Sequence, residues 1–186
     1  MSFNVLVIPE DPTYNGYILK PLVEAILADA GKPRAKVNVL TSPRLNGYDQ
    51  AKTAIRGKLA DSYRHYDLWL FIPDADCATP EAMRALENEL AGKNIKLLCC
   101  PARPEVEIYA CAAHRAELRA PWQTVRSERN MKEKYFNPLI AARGDSRAAG
   151  GGRAELVRAG IKLGNTLYQL CDELADLRDR IKDLFP

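Results

Sequence analysis

Glu10, Asp74, Asp76 and Glu107 are the residues of this chain whose types and spacing could do chemistry together. Asp74 and Asp76 flank a single residue, so both carboxylates can reach one ion, and Glu10 and Glu107, with Glu105 beside the latter, can add further oxygens. Grouped carboxylates repel one another and are stable together only with a cation or with protons. An oxygen-only donor set suits Mg2+ or Mn2+ better than zinc. Two such ions roughly 3.5–4 Å apart would activate an attacking water and stabilise the leaving oxygen in phosphodiester cleavage, and one ion could do part of this. Taken singly, each acid also reads as a helix cap or a loop charge, and for Asp11 or Glu105 alone that plainer reading is preferred.

What would bring the four together is a pattern of three apolar runs that each stop at a proline and then reach acid. These are Leu6-Val7-Ile8-Pro9-Glu10-Asp11, Leu70-Phe71-Ile72-Pro73-Asp74-Ala75-Asp76, and Leu97-Leu98-Cys99-Cys100-Pro101 leading to Glu105-Val106-Glu107. Such runs read as buried strands, and proline, having no N–H for the ladder, ends each at a set point. Strands at 3–8, 36–40, 68–72 and 95–100 alternate with helices at 17–30, from an Asp49 cap to about 63, and from Thr79-Pro80-Glu81 to Gly92. That order implies an α/β, Rossmann-like fold with a parallel sheet of about four strands flanked by helices. In such a sheet the carboxyl ends of the strands share one edge, where ligands bind.

The character changes after Pro104. Residues 1–112 read as the α/β core and 113–186 as a basic helical extension ending in an amphipathic helix. An alanine-rich helix is expected over 105–118, a turn at Pro121-Trp122, and a Gly150-Gly151-Gly152-Arg153 stretch that serves as a connector or presents N–H groups to phosphate. From Leu163 the apolar residues fall at 163, 167, 170, 174, 177, 181 and 184, a heptad seam. The seam fits either a helix packed on its own domain or a homodimer or partner-docking helix over 163–184.

Charge is unevenly spread. Residues 113–162 carry eleven Lys or Arg against five acids, whereas 1–112 carry thirteen against fourteen. Arg126, Arg129, Lys132, Lys134 and Arg153, interleaved with Tyr135 and Phe136, could follow a DNA or RNA backbone, the alternative being a helix with aromatics inward and charges in water. Five cysteines without a C-x-x-C pair argue against a disulfide framework or a zinc ribbon. His65, His114 and Cys77 read as structural or surface groups. No apolar run reaches the roughly 18 residues of a membrane span and the first residues lack a basic n-region, so no membrane association and a cytoplasmic location are expected.

The glutamate after the first strand and the Asp-x-Asp after the third resemble the Toprim domain, shared by topoisomerases, bacterial primases, recombination-mediator proteins and the overcoming-lysogenization-defect nucleases. More closely, Pro9-Glu10-Asp11-Pro12-Thr13, Tyr17-Ile18-Leu19-Lys20-Pro21-Leu22, Gly31-Lys32-Pro33, Glu105-Val106-Glu107, Lys132-Glu133-Lys134-Tyr135-Phe136 and Gly150-Gly151-Gly152-Arg153 resemble a little-characterised bacterial Toprim-like family. The resemblance implies a metal-dependent nuclease with Glu10, Asp74, Asp76 and Glu107 as its metal-binding and catalytic residues. It also implies a partner ATPase, since relatives of this kind are often encoded beside one and are suspected in defence against phage. Two other functions are compatible with the residues. One is a Toprim-fold interaction subunit of an ATPase complex with no catalysis of its own. The other is a haloacid-dehalogenase-type phosphatase, in which Asp74 would be nucleophile and Asp76 general acid or base, although Ala78 stands where that motif has Thr or Val.

Overall fold

The computed structural model describes residues 2–186, with the exception of the side chain of Cys77. Strands β1 (Asn4–Pro9), β2 (Lys36–Val39), β3 (Leu68–Ile72) and β4 (Leu97–Cys99) form one parallel sheet in the order β2-β1-β3-β4. Alternate residues feed two separate cores, as a sheet covered on both faces requires. Val5, Val7, Leu68, Leu70 and Ile72 face one core, and Leu6, Ile8, Trp69 and Phe71 the other. Helix α1 (Asn15–Asp29) covers the first face, while α2 (Tyr48–Arg56), α3 (Lys58–Ser62) and α4 (Pro80–Ala91) cover the second through Ile55, Leu59, Leu86 and Leu90. The expected α/β, Rossmann-like architecture is therefore present.

Local departures from the expected elements have local causes. Thr79 caps α4 as its type predicts, accepting the Ala82 N–H at 3.2 Å. The helix expected from an Asp49 cap to 63 is instead two helices. It is capped at Gly47, whose φ is 92°, and is split at Gly57, whose φ of −114° and ψ of −105° are not helical.

The second half builds a set of short helices: α5 (Ile108–Cys111), α6 (Trp122–Ser127), α7 (Asn137–Arg143), α8 (Arg153–Ile161), α9 (Asn165–Leu170) and α10 (Asp172–Leu184). The helix expected over 105–118 shrinks to α5 and a 3-10 segment, Ala112–Glu117, that breaks at His114. Pro121 caps α6 rather than forming a turn with Trp122. The glycine stretch is a packed turn: φ is 72° at Gly150 and 84° at Gly152, and a Cβ there would lie 2.3 Å from Tyr17 Cγ and 2.6 Å from the Asp145 nitrogen respectively.

The heptad seam is corrected by the fold. The chain leaves helical geometry at Cys171, with φ −132° and ψ 82°, so no continuous helix spans 163–184. Leu167, Leu174, Leu177 and Ile181 are buried in the same apolar cluster as Val5 and Ile18, so the face proposed for a homodimer or a docking partner is spent on the chain's own core. That cluster also draws on both sides of the boundary read at residue 112.

Helix α10 reaches the outer edge of the sheet. Glu87 accepts the Cys99 N–H at 2.6 Å, and Arg180 donates to Glu87 at 2.7 Å and to the Cys99 carbonyl at 3.2 Å. Among the described residues no helix is long and apolar enough to cross a membrane.

Candidate active site at the strand ends

The strand order reverses direction at β1, which has β2 on one side and β3 on the other, so the carboxyl ends of β1 and β3 flank a topological switch point. Register places the acids there. Pro9 pairs with Ile72 and Phe71 with Cys99, and an isolated parallel bridge, Asp74 to Ala102, extends the β3–β4 contact past the strands. Proline ends each strand, and the next residues turn their side chains into the shared edge.

Glu10 and Asp74 are joined across this edge: the Asp74 N–H donates to Glu10 Oε2 at 3.2 Å, and Asp74 Oδ1 in turn accepts the Val106 N–H at 3.0 Å. Three strand ends are thus linked in series by carboxylate–amide bonds. Burial pushes the Glu10 carboxyl above its usual range, aided by Asp76 and opposed by N–H donation from Asp74 and Tyr48. Burial also dominates at Asp74, where the nearby charges of Glu107, Glu10 and Glu105 add to it and the carboxyl is pushed up to about 7. Asp76 is exposed in the 3-10 turn Ala75–Cys77. Asp11 plays the plainer role read for it, accepting the Thr13 N–H at 2.8 Å in the loop after β1.

Glu107 is only 1% exposed, and Lys132 Nζ lies 2.7 Å from its Oε1. The two form a close charge-assisted contact between a compact ammonium and a buried carboxylate oxygen. Glu105 holds the same lysine from behind, its Oε1 accepting the Lys132 N–H at 2.8 Å. Burial opposes the Lys132 charge, but Glu107 beside it, with Glu105 and Asp74 beyond, keeps the ammonium above the usual lysine range. Lys132 begins a π-helical turn, Lys132–Phe136, a geometry frequent at functional positions. Beside Glu10 opens a cleft of about 410 Å3 lined by Asn46, Gly47, Tyr48, Asp49 and Gln50.

Every candidate donor is a carboxylate, the oxygen type that a hard divalent cation takes. Glu10, Asp74, Asp76 and Glu107 would hold it. Yet among the described residues no three or more His, Cys, Asp or Glu side chains stand close enough together to hold a metal ion. Glu10 and Asp74 each accept a neighbouring amide, and Glu107 meets Lys132.

The five basic residues read as a nucleic-acid surface separate. Lys132 belongs to the acid cluster. Arg126 is enclosed, its side chain 10% exposed, donating to the Leu170 carbonyl at 2.8 Å and to Glu173 at 2.8 Å, so it ties α6 to the start of α10. Lys134 pairs with Glu128 at 2.6 Å at the surface, and Arg129 is exposed. Arg153 stacks on the Tyr14 ring at 4.3 Å and donates to the Gly150 carbonyl, close to the loop that follows β1. Tyr135 and Phe136 enter the core, as the alternative reading of that segment has it. His65 meets the Tyr66 ring in a tilted contact, centroids 4.7 Å apart, and His114 meets Glu117 at 3.2 Å, both outside the cluster. The side chain of Cys77 lies outside the described residues.

Sequence reasoning placed the acids but not the lysine among them. The usable signal was charge balance, because grouped carboxylates call for protons or a cation and a lysine of the chain is one such cation. No family model, no curated protein and no solved structure matches the chain.

Proposed function

We propose that the protein is a Mg2+- or Mn2+-dependent nuclease of the Toprim type, hydrolysing phosphodiester bonds in DNA or RNA. The observation that carries this reading is the convergence of Glu10, Asp74 and Glu107 from three strand ends on the switch-point edge, with too little positive charge to balance them. A hard divalent ion held there supplies Lewis acidity to a phosphate oxygen and acidifies an attacking water. The chain's own contribution is orientation: the amides of Asp74 and Val106 fix the two central carboxylates, and burial raises their cost of ionisation until a cation arrives. For the nucleic acid, the surface that supports the reading is Tyr14, 47% exposed and backed by the Arg153 guanidinium, four residues after Glu10. An exposed ring with a cation behind it is a stacking platform for a base. A partner ATPase and a role in defence against phage are part of the same proposal and rest on the family resemblance.

The interaction-subunit reading loses its motive with the burial of the heptad seam. The phosphatase reading needs Asp74 as a nucleophile, and a carboxyl held at about 7 and tied to the Val106 amide suits that poorly.

The test is cleavage of single- and double-stranded DNA and RNA with Mn2+, comparing wild type with Asp74→Ala/Asp76→Ala after both are shown to be folded. Metal-dependent cleavage lost in the double variant is the expected result. Metal-independent cleavage, or cleavage equal in the two proteins, would refute the site.

A further inference from the structure

Three observations at Lys132 belong together. Its ammonium lies 2.7 Å from a carboxylate that is 1% exposed; its backbone amide is held by a second acid, Glu105; and a π-helical turn begins at this residue. Among the described residues no other ammonium or guanidinium is paired with the cluster: the bonds to Glu10 and Asp74 come from backbone amides. A lysine brought in by an irregular turn, to an acid that would otherwise be buried with its charge unbalanced, performs the electrostatic task of a bound ion. Breaking such a pair by removing one partner is costly because it strands the other charge, and a divalent cation is the natural replacement.

We propose that Lys132 is a resident counter-ion in the cation position, which a divalent ion must displace from Glu107 to complete its site, so that this lysine sets both the affinity of the site and its resting, metal-poor arrangement. The inference rests on the metal-dependent reading above. It explains why four acids at one edge present no group of three ready to ligate: the ammonium draws Glu107 to itself. Across 2.7 Å the pair sets one positive charge against the carboxylate, and a divalent ion brings two to the same oxygen. Lysine suits the role better than arginine would, because a compact ammonium on a flexible stem can leave, whereas a guanidinium fork would lock the carboxylate bidentately.

The experiment is Mn2+ binding by calorimetry to wild type, Lys132→Gln, Lys132→Arg and Asp74→Ala/Asp76→Ala. Lys132→Gln is expected to bind Mn2+ at least tenfold more tightly than wild type, and Lys132→Arg no more tightly. Equal or weaker binding in Lys132→Gln, while Asp74→Ala/Asp76→Ala abolishes it, would overturn the counter-ion and leave the metal site standing. Binding absent from the wild type and from every variant would overturn both. Should Lys132→Gln fold poorly, the wild type answers alone. Mn2+ is expected to raise the rate at which an amine-directed acylating reagent modifies Lys132, relative to the other lysines, by several-fold in peptide mass spectrometry. An unchanged rate at saturating Mn2+ would sink the displacement.

Discussion

Asp74 is the strand-end acid whose carboxyl is pushed up to about 7, and its protonation should be visible in stability. Its carboxyl lies near 7 in the folded chain against 3.8 for an ordinary aspartate. Below both values the folded and unfolded chains each hold the proton, and Asp74 contributes nothing to the balance between them. Between them the folded chain keeps a proton that the unfolded chain releases, so stability falls as pH rises, and above about 7 the whole penalty is present, on the order of 4 kcal/mol. Asp74→Asn keeps an oxygen for the Val106 amide and removes the penalty. With a chelator present, urea unfolding should show a gain in stability that is larger at pH 8.5 than at pH 5.5 by about 2 kcal/mol. A gain independent of pH would mean that Asp74 is ionised throughout this range.

At the scale of elements, the first hundred residues were readable because buried parallel strands carry their signal in composition. Runs such as Leu68-Trp69-Leu70-Phe71-Ile72 are apolar on both faces, and Pro9, Pro73 and Pro101 mark where each strand ends and its acid begins. The candidate acids were legible for the same reason. The later helices were not, because contacts distant in sequence accompany their boundaries: Glu105 accepts the Lys132 amide, and the positive φ of Gly150 and Gly152 lets Tyr17 and Asp145 approach. The heptad spacing was real, but a 4,3 pattern also describes a stripe buried on one's own domain, and nothing local distinguishes the two. Two substitutions separate them in the intact chain. Leu177→Ala should cost about 2–5 kcal/mol in urea unfolding and leave the sedimentation coefficient of the folded protein unchanged. A dissociation that accompanies the loss would restore the intermolecular seam. Gly152→Ala, forced into a left-handed backbone against the Asp145 nitrogen, should cost about 2–4 kcal/mol, whereas a true connector would accept it at almost no cost.

For the molecule as a whole, the shared cluster on the α1 face makes the two halves interdependent. Val5, Ile18 and Leu22 are covered by Leu156, Val157 and Leu174 from the far end of the chain. A fragment ending at residue 112 should therefore lack a cooperative thermal transition by circular dichroism, and a sharp transition in that fragment would show a domain that folds alone. The same interdependence gives the bond from α10 to β4 a protective meaning. Two side chains, Glu87 and Arg180, occupy the amide and the carbonyl of Cys99 on the outermost strand, where another strand could otherwise join. Fraying of α10 would free the Cys99 carbonyl while Glu87, on α4, still held the amide. Glu87 on α4 and Arg180 on α10, themselves paired at 2.7 Å, thus make both halves of the chain guardians of one sheet edge against the strand of a neighbouring molecule.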